Sequence, residues 1–412
     1  MLSRRQFLLL TGGAVAGGAA GAAAWLEWAG DGPSTPSTAP ATTVVPPSST
    51  AASSSGRMLV VVQLGGGNDG LNTVVPVDGR YHDARPKLAL GEGLVPIPGT
   101  QSYGLHPALA PLQPLLAAGR VAAIQALGYQ HPDRSHFAAL DAWWSGTPGH
   151  ASTTGWLGRY LDVTAGADDD PLRAVSLGGG TPALAAEHVL PTVVFTPAAF
   201  VLTPPRRTDG SALLDAWATT ATGAADARRA VEVFQQLGTP APSSASAAPG
   251  NEGEVAGDIT AALDVAARLL VAGKGAQTVY VNTSGFDTHA NQAKTQERLL
   301  GDLATGIVRF EQTLAAAHLD DRVLLMTVSE FGRRVAENGS GGTDHGKAGV
   351  QFLVGPMVKG GVYGEPDLGA LDDGDIAAQI DTRSLYTAAL DWLGGPADVV
   401  LGGKFDALGV IA

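Results

Sequence analysis

Cysteine is absent from all 412 residues. That excludes disulfides, thiolate metal ligands, cysteine nucleophiles and a lipid-modified cysteine behind an N-terminal signal. Positive charge is scarce as well. Lys and Arg number 26 against 39 Asp and Glu, for a formal net charge of -13. That balance argues against nucleic acid and anionic membrane surfaces as partners. It is compatible with cation binding, although acidity on its own serves solubility. Internal repeats and heptads are also missing, so solenoids and coiled coils drop out.

What is present begins at the N-terminus. Arg4 and Arg5 stand directly before an apolar run that reaches about Trp25. A short charged start followed by a weakly apolar stretch is an export signal, here of the twin-arginine kind. The run is rich in Gly and Ala, too weak for a good membrane span. Ala22, Ala23 and Ala24 offer a cleavage site, and an uncleaved anchor is the variant. The expected location is periplasmic, extracellular or cell-surface, with membrane contact only through an uncleaved signal. Resemblance to twin-arginine cargo implies a protein folded before export, often with its cofactor loaded inside. Residues 31–57 are mostly Pro, Ser, Thr, Ala and Gly, a composition that cannot bury enough apolar surface to order itself. They read as a linker, with one large domain over 58–412 and a flexible insertion near 238–252.

Within that domain, continuous apolar runs with β-branched residues lie at Met58–Leu64, Val121–Leu127, Thr278–Val281, Val323–Val328 and Gln351–Val354. Such runs fit strands buried on both faces. Helical patterns lie between them, at Leu109–Gly119, Asp258–Ala272 and Gln292–Ala317. The alternation predicts an α/β fold with a central, mostly parallel sheet flanked by helices on both faces. In such sheets ligands bind in the loops beyond the carboxyl ends of the strands.

The polar residues cluster at those loops. Asn68 and Asp69 follow the first run. Arg134, Ser135 and His136 follow the second, Asp287 and His289 the third, and Glu330 and Arg333 the fourth. A further loop carries Thr343, Asp344 and His345. Carboxylates with imidazoles suit a divalent cation, zinc first, with manganese, magnesium or iron as alternatives. Each piece has a plainer reading. Asn68-Asp69-Gly70 makes a tight turn, and so could the glycine-rich loop around Asp344. Asp287 or Ser135 could cap a helix. Glu330 could pair with Arg333 or Arg334, and His106 before Pro107 reads as structural.

The segments Val60–Asn72, Arg134-Ser135-His136-Phe137 with Trp144 and Gly146, Gly285–His289, Ser329–Arg333 and Gly342–Gly346 together resemble a bacterial family, domain of unknown function 1501. The match runs from about Met58 to the C-terminus. That family in turn resembles the alkaline phosphatase and sulfatase superfamily. The resemblance implies an alkaline phosphatase-like fold with Asp69, Asp287, His289, Glu330 and His345 as metal ligands. It makes Ser135 the nucleophile, with Arg134 or Arg333 as clamp for the anionic group. The pattern departs from that superfamily in three ways. The Asp287-to-His289 spacing is short, Phe331 stands where a ligand His would be, and Ser135 is offset by about one residue. One metal, or a degenerate site, follows better than two.

The expected function is therefore an exported metal-dependent hydrolase acting on a phosphate or sulfate ester, carried by a small molecule or a polymer. The alternative is a non-catalytic secreted binding or assembly protein with at most a degenerate metal site. The resemblance also implies a secreted protein partner.

Overall fold

The computed structural model describes residues 56–166, 170–194, 224–237 and 258–412. The export signal, nearly all of the linker and the expected insertion near 238–252 lie outside them. Twelve strands are described: β1 Met58–Leu64, β2 Val74–Pro76, β3 Val95–Pro96, β4 Tyr103–Leu105, β5 Val121–Gly128, β6 Ala174–Leu177, β7 Thr192–Val194, β8 Thr278–Thr283, β9 Val323–Val328, β10 Gly349–Val354, β11 Gly361–Tyr363 and β12 Ile380–Asp381. The helices are α1 Gly79–Ala84, α2 Gln113–Ala117, α3 His136–Ser145, α4 Trp156–Val163, α5 Ala224–Leu237, α6 Ile259–Val271, α7 Gln292–Ala316, α8 Thr382–Leu393 and α9 Ala397–Leu401.

Nine strands form one sheet in the order β11-β5-β10-β9-β1-β8-β6-β7, with β12 beside β5. All of its pairings are parallel except those of β10, which runs against both β9 and β5. The sheet is mostly parallel, as the apolar runs predict. The five expected strands appear within one or two residues of their expected bounds.

β1 lies at the centre and explains its own sequence. Val60, Val62 and Leu64 face one apolar cluster, built with α6 and α7. Leu59 and Val61 face the other, built with α3, α4, α8 and α9. A strand covered on both faces has no polar side, so its sequence is apolar without alternation.

Two features depart from the sequence reading. The expected helix at 109–119 is a 3-10 turn over Pro107–Leu112 followed by short α2. Pro111 and Pro114 cannot donate backbone hydrogen bonds, so a continuous α-helix is ruled out there. β2, β4 and β3 form a small antiparallel sheet of their own, from runs too short to announce themselves. His106 holds the structural role expected of it. It is buried, and its Nδ1 accepts a hydrogen bond from the Ala108 N–H at 3.0 Å. No helix among the described residues is long and apolar enough to cross a membrane.

Candidate metal centre

The loops after β1, β5, β8 and β9 leave the same edge of the sheet. The segment carrying His345 reaches that edge because β10 is reversed, so its amino end lies where its neighbours have their carboxyl ends. Arg333 and His345 form an isolated antiparallel bridge, which locks the entry to β10 beside the exit from β9.

The loops cross at close range. Gly66 has φ +115°, and a Cβ there would lie 2.3 Å from the Asp287 amide nitrogen. Gly342 is hemmed in likewise, its notional Cβ 2.3 Å from the His289 carbonyl carbon. Only glycine permits that approach. Ser329 Oγ completes the stitching. It donates to the Leu64 carbonyl at 2.8 Å and accepts from the Asn68 N–H at 2.9 Å.

Three imidazoles converge on Asp287. His289 Nε2 lies 3.0 Å and His345 Nε2 3.2 Å from its Oδ1. His136 Nε2 lies 3.5 Å from its Oδ2. The Nε2 atoms of His289 and His345 are 2.9 Å apart. His136, Asp287 and His345 have ligand atoms all within 4.8 Å of one another. Two overlapping triads thus share Asp287 and His345, one completed by His136 and the other by His289.

The opposite ring nitrogens fix the tautomers. His345 Nδ1 faces the Arg134 carbonyl at 2.8 Å. His289 Nδ1 faces the Asp344 carboxylate at 3.2 Å, and His136 Nδ1 faces Glu330 Oε1 at 3.0 Å. All three partners are acceptors only, so each Nδ1 must carry the proton. In the neutral ring the lone pair is then on Nε2, turned toward a carboxylate and other lone pairs. Such a set is repulsive until a cation joins it. A proton or a metal meets the need.

Without a metal, protonation does so. Burial pushes the His136 imidazole down, but hydrogen bonds to Asp287 and Glu330 outweigh it and raise its pKa to about 9. Burial would raise the Asp287 carboxyl. Hydrogen bonds from His136, His345 and Arg333 hold it far below the usual carboxylate range. The donor set also fits a metal. A tetrahedral ion with ligands at about 2.0–2.1 Å needs ligand–ligand separations of about 3.3–3.4 Å. The triangle of His289, His345 and Asp287 Oδ1 has sides of 2.9, 3.0 and 3.2 Å, a small expansion away. Metal-bound imidazoles ordinarily donate their other N–H to a carboxylate or carbonyl, as all three do here.

A family model described as "Protein of unknown function (DUF1501)" matches residues 121–395. The chain belongs to the DUF1501 family. No curated protein matches it by sequence. Among solved structures it is similar to the lipoteichoic acid synthase LtaP from Listeria monocytogenes, at 10% identity over 85% of this chain and 75% of that one, with a TM-score of 0.41. It is similar to the PsFucS1 sulfatase from Pseudoalteromonas sp., at 12% identity over 86% and 72%, with a TM-score of 0.38. It is also similar to alkaline phosphatase from the Antarctic bacterium TAB5, at 12% identity over 74% and 94%, with a TM-score of 0.36. At such scores the centre stands on its own distances.

In this DUF1501 chain the other predicted site residues sit around that centre in different ways. Glu330 stands behind it. It is buried, holds His136 and accepts from the Gly66 N–H at 2.7 Å, while its Oε2 is buried without a partner. It pairs with neither Arg333 nor Arg334. Asp69 is drawn away from the imidazoles. Its Oδ2 takes a 2.6 Å ion pair from Arg85 and a hydrogen bond from Gln292, and neither Asp69 nor Arg85 is more than 1% exposed.

Arg333 is buried and already committed. It donates to the carbonyls of Gly66, Gly67, Phe286 and Thr343 and to Asp287 Oδ1. Among these contacts, the one to Asp287 Oδ1 holds that carboxylate in place. The Arg134 side chain turns to Asp373 and Asp375, leaving only its carbonyl at the centre. Ser135 occupies the N-cap position of α3 but its side chain makes no capping hydrogen bond. Asp287 does not cap α7 either, a place taken by Asn291.

Two members of the centre are missing from the sequence-level ligand set. His136 lies next to Ser135, and the offset of one residue in the alignment was its signal. Asp344 lies next to His345 and orients His289. Arg85 had no signal, because its motif role appears only when α1 is folded against the loop after β1.

Proposed function

We propose that this chain is an exported metal-dependent hydrolase acting on phosphate or sulfate esters. The observation that carries the metal is the convergence of three imidazole Nε2 atoms on Asp287, each ring tethered through Nδ1 to an acceptor-only oxygen. Asp287, His289 and His345 would hold the ion, with Glu330, Asp344 and Arg333 orienting the ligands. The mixed nitrogen and oxygen donors favour zinc. The metal would supply charge stabilisation at the ester oxygens. The first turn of α3, at whose start His136 lies, offers backbone N–H groups to an anion at the same place. The substrate class comes from the motif resemblance, and Arg4 and Arg5 support export.

One observation favours a second reading, a non-catalytic secreted binding or assembly protein that keeps the metal. Both arginines available as anion clamps have other partners. Elemental analysis of purified protein with a panel of chromogenic phosphate and sulfate esters separates the two. The hydrolase reading expects about one metal per chain and turnover that chelation abolishes. Bound metal with no turnover on any ester supports the binding protein instead. For export, replacing Arg4 and Arg5 together by Lys should retain the protein in the cytoplasm, and normal export of that variant would contradict the twin-arginine assignment.

A further inference from the structure

We propose that Asp375 is a positioning residue behind both imidazoles that hold the metal, orienting His345 through Arg134 and His289 through Arg334 and Asp344. That role rests on the metal reading of the centre and extends it to a carboxylate outside the ligand set.

The turn that carries Asp375 is built to stay in place. Asp372 and Asp375 exchange backbone hydrogen bonds at 2.9 and 3.1 Å. The residues between them, Asp373 and Gly374, have φ of +54° and +80°. Asp-Gly with both residues left-handed is the sequence that a type I′ turn selects. The turn is clasped from outside as well. The Arg334 guanidinium donates to the Asp373 carbonyl at 2.6 Å, and the Val335 N–H donates to the Gly374 carbonyl at 3.4 Å.

The Asp375 side chain is 0% exposed, and its two oxygens face different arginines. Oδ2 accepts from Arg134 Nη2 at 2.5 Å. Oδ1 makes no hydrogen bond but faces Arg334 Nε at 3.8 Å. Burial raises the Asp375 carboxyl, and the cations of Arg134, Arg334 and Lys347 pull it back. A buried ion pair is screened far less than an exposed one. Asp375 therefore holds the guanidiniums more firmly than Asp373, which also touches Arg134 but is 71% exposed.

Each arginine reaches a different ligand through its own main chain. The Arg134 carbonyl faces His345 Nδ1 at 2.8 Å. Its freedom is small once the side chain is anchored, because the Ser135 N–H is already folded back onto Asp133 Oδ1 at 2.8 Å. The Arg334 N–H donates to the Asp344 carbonyl at 3.0 Å. Asp344 Oδ1 in turn faces His289 Nδ1 at 3.2 Å. The group behind Nδ1 fixes the ring direction of a metal-bound imidazole. Here both such groups hang from one buried charge.

The test uses the full chain. Zinc affinity is read by competition against a chromophoric chelator, and ligand geometry by the visible spectrum of the cobalt-loaded protein. Asp375→Asn should weaken zinc binding about 10-fold or more and change the cobalt spectrum at saturating metal, a change that lost stability alone would not produce. Asp372→Asn removes a partner of Lys347 and of neither arginine, so both readouts should stay as in the unmodified chain. Arg134→Gln, at a side chain 31% exposed, should weaken zinc binding too, and keeps the proposal falsifiable if Asp375→Asn misfolds. Unchanged zinc affinity or an unchanged cobalt spectrum in folded Asp375→Asn overturns the proposal. So does unchanged affinity in Arg134→Gln, or an equal loss in Asp372→Asn. An unmodified chain that takes up no zinc overturns the metal reading itself, and the role of Asp375 with it.

Discussion

Asp69 and Asp287 make an instructive pair. Both follow central strands at the same edge of the sheet, both are in hydrogen-bonding contact with a buried arginine, and both sit in glycine-rich turns. Asp69 is closed off from solvent, with Arg85 and Gln292 on one oxygen and the other oxygen buried without a partner. Asp287 is 37% exposed and faces three imidazoles as well as Arg333. The first carboxylate is neutralised within the fold. The second is over-supplied with ring nitrogens and has an open side. A buried charge that is matched inside contributes architecture. A cluster whose lone pairs conflict until a cation arrives is available for chemistry.

The largest effect on folding should come from breaking the closed pair. Arg85→Met strands a buried carboxylate and also empties the contacts to Asn72 and to the carbonyls of Arg334 and Val335. Removing one partner of a buried pair costs about 3–5 kcal/mol. Denaturant unfolding should show a loss in that range, and a loss below about 1 kcal/mol would contradict the closed pair.

Another buried carboxylate sharpens the comparison with Asp69. Glu311 on α7 has only partly exposed Arg120 as a cation, with Asp320 competing for it, and its Oε1 is buried without a partner. Burial dominates and raises its pKa to about 7 against 4.5 in the unfolded chain. Raised acids are favoured when protonated. The contribution is therefore complete below pH 4.5 and is lost as pH climbs through about 7. The change is on the order of 3 kcal/mol. Stability measured from pH 4 to 8 should fall across that window, and Glu311→Gln should flatten the fall. An unchanged profile in Glu311→Gln would refute the assignment.

Much of this architecture was legible because buried parallel strands have apolar sequences with no ambiguity of face. Met58–Leu64 and Val323–Val328 emerge with their expected bounds for that reason. Asp287, His289 and His345 were legible as a group because doubly wound topology sends the loops bearing them to one edge. The reversal of β10 was not, since an apolar run carries no direction. Nor were the Arg85 and Gln292 partners of Asp69, the carbonyl contacts of Arg333 or the place of His136. A carboxylate's role depends on which arginine reaches it, and Arg85 reaches Asp69 from a helix sixteen residues on. His136 and Ser135 differ by one step along the chain but by about 100° around a helix, so a shift of one residue in the motif exchanges which side chain meets the metal loops.

The most direct test of the account is the metal content of Asp287→Asn beside Asp69→Asn, both prepared from zinc-supplemented cells and measured by elemental analysis with the unmodified chain. The account predicts about one zinc per chain in the unmodified protein and in Asp69→Asn, whose defect should be in stability, and little or none in folded Asp287→Asn. Retention of zinc by Asp287→Asn, or its loss from folded Asp69→Asn, would contradict it.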